Sequence, residues 1–232
     1  MIYGLAILTG LVLAALMARL IPEDRPDLAP HRAALARAAV VGAILGAFLG
    51  EVPADLLGWS RRPPGLPTDL MPLGGRTVLG GLLGGWLAVE AVKWRRGLSG
   101  PTGDRLAAPL ATALACGRLG CAGAGCCAGV PAPDGAWWAW QGCWPVPFIE
   151  SGFHAVAAVL LLLAARRRWW SGRHLGLYLT VYGVLRFHLE WVRGNPPVLG
   201  PLTWYQLLAL ALVVLAGGTT LARWWRRIPL NT

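Results

Sequence analysis

The sequence predicts an all-α integral membrane protein: seven transmembrane helices, N-terminus outside, C-terminus in the cytoplasm. Three observations carry that expectation. Hydrophobic residues make up 56% of the 232-residue chain and charged residues 14%, with a mean hydropathy of +0.53, too apolar for an ordinary soluble domain. Seven stretches, 2–20, 34–52, 77–92, 106–123, 148–165, 175–192 and 203–222, approach the roughly 20 apolar residues that cross a hydrocarbon layer. The basic residues between those stretches alternate by side.

That alternation sets the orientation. The connections after the first, third and fifth spans and the C-terminal tail hold fifteen of the basic residues: Arg19, Arg25, Arg32, Arg37, Lys93, Arg95, Arg96, Arg105, Arg166, Arg167, Arg168, Arg173, Arg223, Arg226 and Arg227. The opposite side holds Arg61, Arg62, Arg76 and Arg193. The positive-inside rule puts the richer side in the cytoplasm. The net charge of +10 therefore reads as topology and anionic lipid headgroups, and excludes a nucleic-acid footprint.

The first span, opening "MIYGLAIL", has no basic n-region and ends in Arg19 where a secretory signal would show a small-residue cleavage site, so it is expected to remain as a helix. The second closes on Glu51. The third opens "GGLLGG", and the fourth carries Ala113, Gly117, Cys121 and Gly125; small residues at such spacings predict close helix contacts. Glu150 opens the fifth span, "RFHLEWVR" closes the sixth, and the seventh opens within "LTWYQLL". Two outer loops, about 53–76 and 124–147, are rich in Pro, Gly and Trp and are expected to lie as irregular backbone at the interface. No internal repeat or linker divides the chain, so residues 1–232 are expected to form a single polytopic membrane domain.

A charge inside a bilayer is costly, about 2.5 kcal/mol or more at a helix centre, so it pairs, snorkels or lines a functional cavity. Arg118 and Arg186 both fall inside spans. Arg186, Glu190 and Arg193 are spaced i, i+4 and i+7 and can form one ion-paired stripe. Together with Glu51, Glu150 and Arg118 they belong to the outer leaflet. Two guanidiniums in a partly dry cavity suit a phosphate, because their forked donors match its oxygens.

The cysteines are Cys116, Cys121, Cys126, Cys127 and Cys143. Cys116 is mid-helix and reads as a small packing residue. An exoplasmic location permits disulfides, so Cys143 with either Cys126 or Cys127 is a possible staple for the tryptophan-rich loop. The spacing is not that of a zinc ribbon and no metal is assigned. A thiol beside Arg118 is a further option for chemistry, since a nearby cation activates it. His154 and His188 lie in spans, and His188 reads as a packing or snorkelling residue rather than a base.

These residues resemble the prolipoprotein diacylglyceryl transferase family along most of the chain. The family signature Gly-Arg-x-Gly-Asn-Phe-x-Asn-x-Glu-x-x-Gly is matched in register by Gly117, Arg118, Gly120 and Gly129. Tyr3-Gly4-Leu5 matches its first helix, "GGRTVLGGLLGG" its third, and "WPVPFIES" keeps Pro145 and Glu150 of its His-Pro-x-Gln-Leu-Tyr-Glu segment. "YGVLRFHLEWVRGNP" resembles its Tyr-Gly-x-x-Arg-Phe-x-x-Glu-Phe-x-Arg element, supplying Tyr182, Arg186, Phe187, Glu190 and Arg193; Gln206 matches the glutamine opening its last helix.

The resemblance implies a multi-pass enzyme of the bacterial inner membrane whose site faces the extracytoplasmic side. It would move a diacylglyceryl group from phosphatidylglycerol, an anionic phospholipid, to the thiol of a lipobox-bearing preprolipoprotein, with no cofactor. Arg118 and Arg186 would hold the phosphate leaving group. Tyr3, Gly117, Gly120, Gly129, Tyr182, Glu190, Arg193 and Gln206 would line the substrate.

The chain departs from the pattern at six positions. Leu79 stands where the family has the histidine proposed as its base, and Cys121, Ala124 and Cys126 replace the two asparagines and the glutamate of the signature. Pro147 and Ile149 replace the glutamine and tyrosine before Glu150. Glu150 becomes the first candidate for proton acceptor, and Cys121 or Cys126 could carry chemistry themselves. Two alternatives stay open: a non-catalytic lipid-binding or accessory subunit of a membrane complex, and an outer-face cysteine redox or soft-metal site.

Overall fold

The computed structural model describes residues 2–22, 25–59, 77–125 and 127–225. Cys126, the loop arginines Arg61, Arg62 and Arg76, and Arg226 and Arg227 lie outside the described residues.

Among the described residues, seven long helices form where the apolar stretches predict them: α1 (Ile2–Arg19), α2 (Arg32–Leu49), α4 (Val78–Arg95), α5 (Asp104–Ala124), α6 (Val146–Arg166), α7 (His174–Leu189) and α8 (Trp204–Trp225). A short helix, α3 (Val52–Leu57), follows α2. Among the described residues, five segments are long and apolar enough to cross a membrane: α1, the stretch from Pro26 to Leu57, α5, α6 and α8. The other two long helices fall short for visible reasons. α4 carries Glu90, Lys93 and Arg95 in its last turns, and α7 has only 16 residues before Glu190 turns into a 3₁₀ segment.

The burial pattern is that of a protein whose outer solvent is lipid. Leu5 is 67% exposed, Leu8 62% and Val156 60%, whereas Glu150, His154 and Gln206 are 0% exposed. The apolar core joins α4 to α8 through Leu79, Ala111, Ala158, Tyr178, Leu179, Tyr182, Tyr205, Ala209 and Leu212. The main packed pairs are α1 with α5, α2 with α4, α5 with α6, and α7 with α8, while α6 and α7 touch only sparsely.

Small residues make the closest of these contacts. A Cβ added to Gly80 would collide with the Gly46 carbonyl oxygen, and one on Gly84 with that of Gly42, so α2 and α4 meet backbone to backbone. The α1–α5 contact uses a different face from the expected one. Gly10 sits against Cys116 and Ala113, and Gly120 against Ala6 and Tyr3, but a Cβ at Gly117 would meet nothing within 4 Å. Gly125 has φ +66° and ends α5 as its left-handed cap. Of the expected stripe, Ala113 meets α1 at Gly10, and Cys116 packs beside it.

The described parts of both outer loops are more regular than their composition suggests. Residues 52–57 are helical, with Pro53 tolerated in the first turn and Gly58, at φ +69°, closing it. In the second loop, Trp140 and Cys143 exchange backbone hydrogen bonds at 3.0 Å around Gln141 and Gly142, whose φ values of 51° and 73° make a two-residue hairpin turn. Ala132 N donates to Gly142 O (2.8 Å), Trp144 N to Val130 O (3.0 Å) and Gly129 N to Trp144 O (3.0 Å). Val130 N then ties this ribbon to Val192 O at 2.7 Å. Of the two staples expected from Cys143, that with Cys127 is not formed in this structure, and the other partner, Cys126, lies outside the described residues. Backbone hydrogen bonds and the Trp138–Trp144 ring pair, 4.5 Å between centroids, close the loop instead.

Candidate functional site

Four helix ends meet at one end of the bundle: the C-terminal ends of α5 and α7 and the N-terminal ends of α6 and α8. Arg118 lies near the end of α5, Glu150 in the second turn of α6, and Tyr182 and Arg186 one turn apart on α7. All four are buried. Ser151 Oγ donates to Ala115 O at 2.9 Å, fixing α6 against α5 at the level of Glu150.

Glu150 is the hub. Its Oε1 lies 3.1 Å from Arg118 Nη2 and 3.6 Å from Arg186 Nε, and accepts the Tyr182 hydroxyl at 3.0 Å. Arg118 Nη2 also donates to Tyr182 Oη at 3.3 Å. Arg186 Nη1 reaches Glu190 Oε2 at 2.5 Å, and Arg193 Nε lies 3.6 Å from the same oxygen. The sequence spacing of the α7 stripe thus becomes a real ion-paired chain, with Asn195 Nδ2 donating to Glu190 Oε1. Two buried polar atoms are left without a hydrogen-bond partner at its centre, Arg118 Nε and Glu150 Oε2. Such atoms mark a place where a further polar group can be received.

One member of this cluster was placed in a span by the sequence but given no role. His154, one turn below Glu150 on α6, is 0% exposed and shares a 2.8 Å hydrogen bond between its Nδ1 and Tyr178 Oη. Its ring lies 4.6 Å from that of Tyr182, and its Nε2 has no partner. The signal was an i, i+4 register on both helices, Glu150–His154 against Tyr178–Tyr182. Glu51, at the end of α2, is also buried and accepts the Tyr205 hydroxyl at 2.5 Å, while Trp204 Nε1 donates to Gly50 O at 2.6 Å.

The remaining candidates divide. Cys121, three residues after Arg118, is buried, and Cys127 is half-buried. Tyr3 and Gly120 meet across the α1–α5 contact, and Gly117 faces open space. Gly129 has a positioning role: a Cβ there would meet Val192 O at 2.5 Å and Trp144 Cβ at 2.6 Å, so glycine lets the ribbon press onto the Glu190–Val192 turn. Gln206 is committed to a capping box. Its Oε1 accepts Thr203 N (2.9 Å), its backbone N donates to Thr203 Oγ1 (3.2 Å), and its Nε2 donates to Phe187 O (3.3 Å). The spacing Thr203-x-x-Gln206 signals this in the sequence.

Leu79 is 1% exposed and packs in the apolar core. Among the described residues no three metal-ligating side chains converge.

No individual curated protein matches the chain. The family model for prolipoprotein diacylglyceryl transferase matches residues 1–222, which include the Arg118–Glu150–Arg186 cluster and every described helix but the last three residues of α8, and on that match this multi-pass membrane protein belongs to the prolipoprotein diacylglyceryl transferase family.

Proposed function

We propose that the chain is a bacterial inner-membrane transferase that moves a diacylglyceryl group from an anionic phospholipid of the phosphatidylglycerol type to an acceptor thiol, such as the cysteine of a lipobox-bearing preprolipoprotein. The observation that carries this reading is the meeting of Arg118 and Arg186 on one buried carboxylate oxygen, with Arg118 Nε still lacking an acceptor. The excess of basic residues at the other end of the helices supports an extracytoplasmic position for this cluster.

In this reaction the acceptor sulfur attacks the glyceryl carbon esterified to phosphate. A carbon–sulfur bond forms, the carbon–oxygen bond breaks, and the electron pair leaves on the phosphate oxygen as glycerol phosphate. The guanidiniums of Arg118 and Arg186 stabilise the charge that develops there. The thiol proton goes to Glu150 Oε2, the carboxylate oxygen that carries no hydrogen bond. Tyr182 and Glu190 hold the two arginines in place, and no cofactor takes part.

Incubating the purified chain with labelled phosphatidylglycerol and a lipobox peptide should release glycerol phosphate and yield lipidated peptide. Arg118→Gln should lower kcat by about 10²–10³, the usual effect of removing one preorganised donor to a developing anion. Absence of turnover with any thiol acceptor would overturn the proposal.

A second reading, a non-catalytic lipid-binding or accessory subunit, is favoured by one observation: Leu79 is buried in the apolar core at the position where the family carries a histidine. It predicts phospholipid that co-purifies with the chain, is lost in Arg118→Gln, and is never consumed.

A further inference from the structure

The end of the bundle opposite the Glu150 cluster holds a cavity of about 500 Å³, whose walls include Glu90, Lys93, Trp94, Ser171, Arg173 and Arg223. Lys93 Nζ is held by both Glu90 oxygens at 2.8 and 2.9 Å, so that pair closes on itself. Arg173 and Arg223 have no carboxylate within ion-pair distance among the described residues. Arg223 Nη1 reaches only the Gly172 carbonyl, at 3.4 Å. Arg173 lays its guanidinium over the Trp224 ring, 4.3 Å from the centroid, and its buried Nε has no acceptor. Nearby Arg25 differs, being paired with Asp27 at 2.7 Å. Two uncompensated guanidiniums therefore face one cavity.

Their backbone is held before any ligand arrives. Asp104 accepts the N–H groups of Gly172 and His174, and the His174 ring lies 2.6 Å from Trp169 O through Nε2, so the turn carrying Arg173 is fixed. Such preorganisation lowers the entropic cost of binding an anion.

The surroundings specify what kind of anion. Trp94, Trp169, Trp170, Trp224 and Trp225 are all exposed at this end, as indoles are at headgroup depth. Trp170 and Trp224 also line an apolar groove of about 490 Å³ that runs between α6 and α7 past Leu160 and Leu177 to Phe153. A free phosphate would satisfy the guanidiniums but leave the groove and the tryptophans without a role.

We propose that this cavity binds the phosphate of an anionic phospholipid headgroup between Arg173 and Arg223, with an acyl chain in the α6–α7 groove, as a resident lipid site distinct from the Glu150 cluster. Basic pockets between helices at the cytoplasmic side suit such headgroups.

The test is native mass spectrometry of the full chain in detergent, titrated with phosphatidic acid and with phosphatidylcholine of the same acyl chains, neither being the donor proposed above. Phosphatidic acid should bind about tenfold more tightly or better, and R173Q/R223Q should remove that preference, at about fivefold per charge. R173K/R223K should retain most of it, and R118Q should leave it unchanged. R223Q alone, which gives up a single bond to a carbonyl, should lose about fivefold if the double glutamine variant fails to fold. Equal binding of the two lipids, or undiminished phosphatidic acid binding in folded R173Q/R223Q, overturns the site. Loss in R118Q but not in R173Q/R223Q assigns the lipid to the Glu150 cluster and also overturns it. Full displacement of phosphatidic acid by millimolar inorganic phosphate assigns the cavity to a soluble anion, with the same consequence.

Discussion

Glu150 presents one carboxylate oxygen to two guanidiniums and a phenol. Removing its charge leaves Arg118 and Arg186 facing each other in a buried site, and breaking one partner of a buried pair costs about 3–5 kcal/mol. Glu150→Gln should therefore lower the thermal unfolding midpoint in detergent markedly; an unchanged midpoint would show that the arginines do not depend on it. Gln206 offers the opposite case. As half of a capping box, its replacement by alanine should cost about 1 kcal/mol and leave the KM for phospholipid unaltered. A raised KM would return Gln206 to the binding surface. The charged members of this cluster could be read from residue type and spacing, because a charge within an apolar span has few ways to survive there. The capping role of Gln206 was not read from the sequence, because a polar residue at a helix start serves a cap as readily as a ligand.

The α2–α4 pair depends on glycine at the crossing. Gly80→Ala places a methyl against the Gly46 carbonyl, which cannot swing away as a side chain would, and should cost about 1–3 kcal/mol. Gly81→Ala meets its nearest atom, Ala43 O, at 3.3 Å and should cost much less. Thermal midpoints of the two variants, measured side by side, check this; equal losses would mean that the helices do not cross at Gly46 and Gly80. The spacing of "GGLLGG" announced a close contact without naming the partner. On α5 the same spacing rule chose the wrong face, because small residues populate several faces of that helix and only the position of α1 decides between them. The tryptophan-rich loop was read as irregular because its order comes from backbone hydrogen bonds and positive-φ turns, which composition does not encode.

For the whole molecule the proposed orientation is the property most open to direct test. A green fluorescent protein fused after the last residue should fluoresce, and alkaline phosphatase inserted at Gly135, an exposed turn position, should be active. The reverse result would invert the molecule and place the Glu150 cluster in the cytoplasmic leaflet. The two ends of the bundle are chemically unlike. One gathers carboxylates and arginines into a buried network, while the other surrounds an open basic cavity with tryptophan.

By itself the sequence determined that the chain is a helical membrane protein, where its long helices run, and which residues carry charge into them. Apolar length and the cost of buried charge act locally, so they are written in consecutive residues. Only the tertiary structure decided that Arg118 and Arg186 share Glu150, that His154 and Tyr178 lie beneath them, and that Arg173 and Arg223 border one cavity. Those facts depend on the rotation and register of helices far apart in the chain, which are set by close packing between neighbours.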